Sequence, residues 1–251
     1  MIIANWKCNG SKSMINQWWR EFSKIHNETY NTFVGIAPPA IYIQYLESFT
    51  SRALSDIKIG SQDIDISSGA RTGGISAEMM MDFDCKFSII GHSERRQFFN
   101  ENNDDIKQKI LNIINKKITV LCIGETEDEN NNNLTKDVIE SQLEVIRDMD
   151  FKDSLVVAYE PVWSIGSGNT AQPDKINEIH NFIKDVVQSI SINSAIPIVI
   201  YGGSVNEDNA ESFFNEEFID GALIGGASLN GKQFANIINI YNEINSLWLL
   251  F

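Results

Sequence analysis

The chain is 251 residues long, 43% hydrophobic, and carries a formal net charge of −14. That length can bury a sizeable core, either as one domain of the barrel class or as two smaller ones. The negative charge repels nucleic acid and anionic membrane, so neither is expected as a partner, and a phosphorylated ligand would need a locally positive site.

Eight short apolar runs stand at 2–6, 33–37, 57–61, 87–91, 118–124, 155–159, 197–201 and 222–225. They are β-branched or aromatic, and most end at Gly, Asn, Pro or a charge, as buried parallel strands do. Each is followed by a stretch of helical period. Val138, Gln142, Leu143, Val145 and Ile146 mark one such face; Ile176, Ile179, His180, Ile183, Val186 and Val187 mark another. The segment 127–133, EDENNNN, has no apolar face and reads as a solvated loop. Strand–helix alternation eight times over in about 250 residues, without a composition break, predicts an α/β fold. A single (β/α)8 barrel over residues 1–251 fits better than a doubly wound sheet.

Cys8, Cys85 and Cys122 are odd in number, far apart and lack CxxC spacing, which suits reduced thiols in a cytoplasmic protein. No basic region followed by an apolar run opens the sequence, and no run approaches the roughly 18 residues that cross a membrane.

In an α/β barrel the reacting groups gather at the C-terminal ends of strands. The polar residues ending the runs are therefore the candidates: Asn5 and Lys7 after run one, His92 after run four, Glu160 after run six, Gly202, Gly203 and Ser204 after run seven, and Gly225 and Gly226 after run eight. His92 precedes SERR, which reads as a helix start with Ser93 near the cap. A helix dipole there would lower the imidazole pKa and keep it neutral. Glu160 directly follows a buried run, so desolvation would raise its pKa toward that of a useful base. His26 and His180 lie in helical patterns and read as structural. The stretch 162–171, with Gly166, Gly168 and one Trp, has the composition of a hinged lid. The two glycine turns after runs seven and eight suit phosphate, because glycine lets backbone N–H groups approach its oxygens. Lys7 supplies the full positive charge at the mouth.

Six segments carry a family resemblance. They are Asn5-Trp6-Lys7 with Asn9-Gly10, IGHSERR at 90–96, CIGE at 122–125, AYEPVW at 158–163, YGGSV at 201–205 and GGASL at 225–229. In order and spacing, over nearly the whole chain, they resemble the triosephosphate isomerase family. The resemblance implies a TIM barrel that interconverts D-glyceraldehyde 3-phosphate and dihydroxyacetone phosphate through an enediol(ate), without cofactor or metal, in glycolysis and gluconeogenesis. Glu160 would carry the proton and neutral His92 would polarise the carbonyl, the pairing already established for this family. Lys7 and Asn5 would stabilise the substrate's charge and oxygens, and Glu94 would support the site or handle protons beside it. Gly166, Ser204, Gly225 and Gly226 would hold the phosphate. Pro161, Val162, Trp163, Ser164, Ile165, Gly166, Ser167, Gly168, Asn169, Thr170 and Ala171 would form the lid. On closing, Trp163 would trade Tyr159 for Glu125, with Tyr201 and Ser204 as latches.

A homodimer is also implied, with Thr72 bracing the neighbour's site. Here the sequence departs from the pattern. Gly74 stands where relatives carry a Glu opposite Arg95, and Arg71 adds a positive charge nearby. An uncompensated Arg95, and hence a weak dimer, is the expectation. Asn169 replaces a common Lys, and Lys184 replaces a common Arg with Asp220 as its candidate partner. Two other functions are compatible with a barrel of this kind. An aldolase-like lyase would need a Schiff-base lysine at a strand end, where only Lys7 stands; a non-catalytic barrel scaffold would lack Glu160 or His92, and both are present. No His/Asp/Glu cluster has metal-ligand spacing, so no metal is expected.

Overall fold

The computed structural model describes residues 1–26, 32–52, 56–164 and 171–248, with Arg52, Leu247 and Trp248 by backbone alone. Eight strands close into one parallel barrel in sequence order. They are β1 (Ile2–Asn5), β2 (Val34–Ala37), β3 (Lys58–Ser61), β4 (Phe87–Ile90), β5 (Ile118–Ile123), β6 (Leu155–Tyr159), β7 (Ile198–Tyr201) and β8 (Ala222–Ile224). Closure is direct, with Ile2, Ile3 and Ala4 of β1 paired to Ala222, Leu223 and Ile224 of β8.

The strands read as unbroken apolar runs because both faces are buried. Alternate residues point to opposite sides. Ile3, Phe87, Ile89, Val120, Cys122, Val156, Ala158, Ile200 and Leu223 pack together inside the barrel. Their neighbours Ile2, Ala4, Leu121, Ile123, Val157, Tyr159, Val199 and Ile224 face outward into the layer shared with the helices.

The helices are α1 (Lys12–Phe22), α2 (Ile43–Arg52), α3 (Ala77–Asp82), α4 (Ser93–Phe99), α5 (Asn103–Ile113), α6 (Glu127–Asn131), α7 (Thr135–Leu143), α8 (Pro173–Ile190), α9 (Ala210–Phe214) and α10 (Gly231–Trp248). The predicted faces at 138–146 and 176–187 fall on α7, with the 3-10 turn Glu144–Ile146 after it, and on α8. Segment 127–133 corrects the sequence reading. Residues 127–131 are helical, not loop, because Thr126 and Glu129 form a capping box that satisfies the first N–H groups. His26 lies past the end of α1, stacked on Phe22 at 4.6 Å, and so is not helical. His180 is fully buried inside α8, and burial pushes its pKa down to about 3. No helix among the described residues is long and apolar enough to cross a membrane.

Candidate active site

A cavity of about 350 Å³ opens at the C-terminal ends of the strands. Asn5, Lys7, His92, Glu160, Ser204, Gly225 and Gly226 all line it, as do Gly202 and Gly203. Residues from β1, β4, β6, β7 and β8 thus converge. Gly166, with Ile165, Ser167, Gly168, Asn169 and Thr170 of the expected lid, lies outside the described residues.

Glu160 is buried, and its placement depends on two tight approaches. A Cβ at Gly124 would stand 1.8 Å from the Glu160 carbonyl oxygen, and one at Gly202 2.7 Å from Glu160 Cγ. Only glycine lets the ends of β5 and β7 close this far around the carboxylate-bearing turn. The carboxylate is held at both oxygens. Oε1 lies 2.9 Å from His92 Nε2, and Oε2 accepts the Ser93 N–H at 2.9 Å.

His92 itself is the N-cap of α4, and Ser93, expected near the cap, is the first residue of the helix. Its Nδ1 accepts the Glu94 N–H at 3.2 Å. The ring proton of the neutral form is therefore on Nε2, aimed at Glu160. Burial lowers the His92 pKa, but the Glu160 carboxylate raises it more, and the net shift is upward. For Glu160, burial raises the pKa, while His92, the Ser93 N–H and Lys7 lower it, and the net shift is downward. Both directions are the reverse of the sequence expectation, for one reason: the two groups touch, and each stabilises the other's charged form.

Lys7 adopts φ 49, a left-handed conformation, and its N–H donates to Asn5 Oδ1 at 3.0 Å. Its ammonium sits 2.7 Å from Glu94 Oε1, and its Cε would lie 3.4 Å from a Cβ on Gly225. A positive charge thus reaches across the mouth to the glycine turn. In the lid segment, Pro161 precedes the 3-10 turn Val162–Ser164, and Ala171 is buried. Trp163 Nε1 donates to Glu125 Oε1 at 2.9 Å, and the Tyr159 hydroxyl donates to Oε2 of the same carboxylate at 3.0 Å. Ser204 Oγ donates to the Ser164 carbonyl at 2.7 Å.

The charge at Arg95 also differs from expectation. It is not orphaned: Asp63 Oδ2 lies 2.9 Å from Nη2, and Glu101 Oε2 lies 2.7 Å from Nε. Arg71 pairs with Asp65 on its own loop, and Thr72 and Gly74 are exposed. Lys184 pairs with Asp220 at 2.8 Å, as expected. Sequence reasoning missed Gln62, whose Nε2 donates to the carbonyls of Lys7 and Ala37. It also missed Asp63, Glu101 and Lys109. Gln62 and Asp63 follow run three directly, so the strand-end rule applied there would have flagged them.

Barrel and cavity together define a (β/α)8 enzyme with a buried carboxylate–imidazole pair beside a lysine and two glycine turns. A triosephosphate isomerase profile matches residues 1–241. The triosephosphate isomerase of Legionella pneumophila (strain Lens) is 40% identical over 247 residues, covering 96% of this chain and 98% of its own. That of Baumannia cicadellinicola is 42% identical over 249 residues, covering 95% of each. That of Salmonella newport (strain SL254) is 40% identical over 244 residues, with the same coverage. The chain belongs to the triosephosphate isomerase family, and it is an isomerase.

Proposed function

We propose that the chain interconverts D-glyceraldehyde 3-phosphate and dihydroxyacetone phosphate, by proton transfer through an enediol(ate), as a cytoplasmic step of glycolysis and gluconeogenesis. The observation that carries this is the Glu160–His92 pair, 2.9 Å apart in a cavity that also holds Lys7 and the Gly225–Gly226 turn.

Glu160 takes a proton from the carbon beside the carbonyl, exchanges it with solvent as the carboxylic acid, and delivers a proton to the former carbonyl carbon. His92 Nε2–H donates to the carbonyl oxygen and stabilises the enediolate as it forms. Lys7 and Asn5 hold the substrate's oxygens and balance its charge. Ser204, Gly225, Gly226 and Gly166 take the phosphate through hydroxyl and N–H donors. Substrate entering between Glu160 and His92 breaks their contact. Glu160 then loses the partner that holds its pKa down and becomes a stronger base, while His92 loses the partner that holds its pKa up and stays neutral. The reactive pair is thereby set by substrate binding itself.

Residues 1–251 form one catalytic domain, working without cofactor as a homodimer with Thr72 against the partner's site. The lyase alternative is disfavoured by Lys7, whose ammonium is engaged by Glu94 rather than free to form a Schiff base. Dihydroxyacetone phosphate converted in deuterated water should yield glyceraldehyde 3-phosphate with deuterium at C2 and none at other carbons. Unlabelled product together with unchanged turnover by Glu160→Gln would rule out the carboxylate-mediated transfer.

A further inference from the structure

Just outside the cavity, four charged side chains close a ring. Arg95 bridges Asp63 and Glu101 at 2.9 and 2.7 Å, and Lys109 bridges the same two carboxylates at 2.7 and 2.6 Å. Two cations balance two anions, and Lys109 and Glu101 are buried. The ring ties together the segment after β3, the first turn of α4, and α5.

Two of those elements hold the site. Asp63 follows Gln62, whose Nε2 donates to the Lys7 carbonyl at 2.9 Å and to the Ala37 carbonyl at 2.8 Å. Lys7 at φ 49 is in a conformation that L side chains rarely adopt, so its backbone depends on outside support. Arg95 follows Glu94, the ion-pair partner of Lys7, and its N–H donates to the His92 carbonyl at 2.8 Å. Removing one member of a buried charge cluster leaves the others uncompensated, and they move to find new partners.

We propose that Asp63 is a positioning residue for the reaction: its carboxylate, shared by Arg95 and Lys109, fixes the Gln62–Lys7 wall of the cavity against the His92–Glu94 turn. The assignment rests on Lys7, His92 and Glu160 being the reacting groups. The charged groups facing Asp63 are Arg95 on α4, Lys109 on α5, Glu101 between them, and Asp105 of α5 on the small cavity they share. On its own loop, Asp65 and Arg71 pair with each other.

Burial raises the Asp63 carboxyl, Lys109 and Arg95 lower it, Glu101 raises it again, and the result is about 6. The ring is therefore fully charged only above that pH. Because the folded-state value lies above the ordinary 3.8, the native chain holds this proton more tightly than the unfolded chain does. The stability that Asp63 contributes is thus present at low pH and lost as pH rises through about 6. The catalytic effect runs the other way, since only the ionised carboxylate completes the ring.

The test is kcat, KM and thermal midpoint for wild type, Asp63→Asn and Glu160→Asp between pH 5 and pH 8. Asn mimics the protonated Asp63, so a wild type that is folded at pH 5 implies a folded variant. The ratio of wild-type to Asp63→Asn kcat should lie near one at pH 5 and climb to roughly tenfold by pH 7.5, as a small displacement of reacting groups would give. Using the ratio cancels titration of the substrate's own phosphate. A ratio near one at every pH would overturn the proposal, even if the midpoint falls, because a merely structural role moves the midpoint alone. Near-normal turnover by Glu160→Asp would instead show that the active-site assignment is at fault.

Discussion

Glu160 and His92 each occupy a place where burial opposes charge, and each offsets that penalty for the other across 2.9 Å. Their mutual shifts give a stability signature. The lowered Glu160 pKa contributes stability above the ordinary 4.5 that is lost as pH falls through the folded value. The raised His92 pKa contributes stability below the ordinary 6.5 that is lost as pH rises through the folded value. The pair therefore stabilises the fold most between 4.5 and 6.5. Thermal midpoints of wild type and His92→Gln should differ most inside that window and converge on either side. A difference that is flat with pH would mean the two groups do not form a charged pair. Gly124 makes a second residue-scale prediction. A Cβ there would meet the Glu160 carbonyl oxygen at 1.8 Å and push the Glu160 turn away. Gly124→Ala should cut turnover by roughly 100-fold, the scale of a 1 Å misplacement, and a variant of normal turnover would contradict the packing argument.

At the scale of elements, α5 supports the site from behind by carrying Lys109. Its start is a capping box: the Asn102 side chain accepts from the N–H groups of Asp104 and Asp105, and the Asp105 carboxylate accepts from Asn102 N–H. Asn102→Ala should lower unfolding stability by about 1 kcal/mol, measured by urea titration; no change would mean that the cap is replaced by water. Local signals of this kind explain what the sequence disclosed. The strands were legible to within a residue or two at each end, because chain buried on both faces leaves an uninterrupted apolar run. Helix α6 was not, since EDENNNN has no apolar face and its start is set by the Thr126–Glu129 capping box. The strand-end residues that line the cavity were legible by position and by family motif. The Asp63–Arg95–Glu101–Lys109 ring was not, because ion-pair partners as far apart as Asp63 and Lys109 leave no periodicity. The pKa directions of Glu160 and His92 are not legible in the sequence, because the two come from different strands and meet only in the folded barrel.

At the scale of the whole molecule, Arg95 is neutralised within its own chain, so Gly74 does not leave a charge for a partner copy to answer. The dimer proposed for this protein then rests on other contacts. Gly74→Glu is expected to loosen rather than tighten it, because a Cβ at that position would stand 2.2 Å from Asp65 Oδ2 and disturb the Asp65–Arg71 pair. Sedimentation of both forms over a concentration series checks this; tighter association of the variant would show that Arg95 does lack a partner carboxylate. The proposed reaction turns on Glu160 as the group that carries the proton, and a coupled isomerisation assay of Glu160→Asp in chelator-treated buffer tests this most directly. Shortening the side chain by one methylene should lower turnover by orders of magnitude while leaving substrate binding nearly unchanged. Turnover close to that of wild type would contradict it.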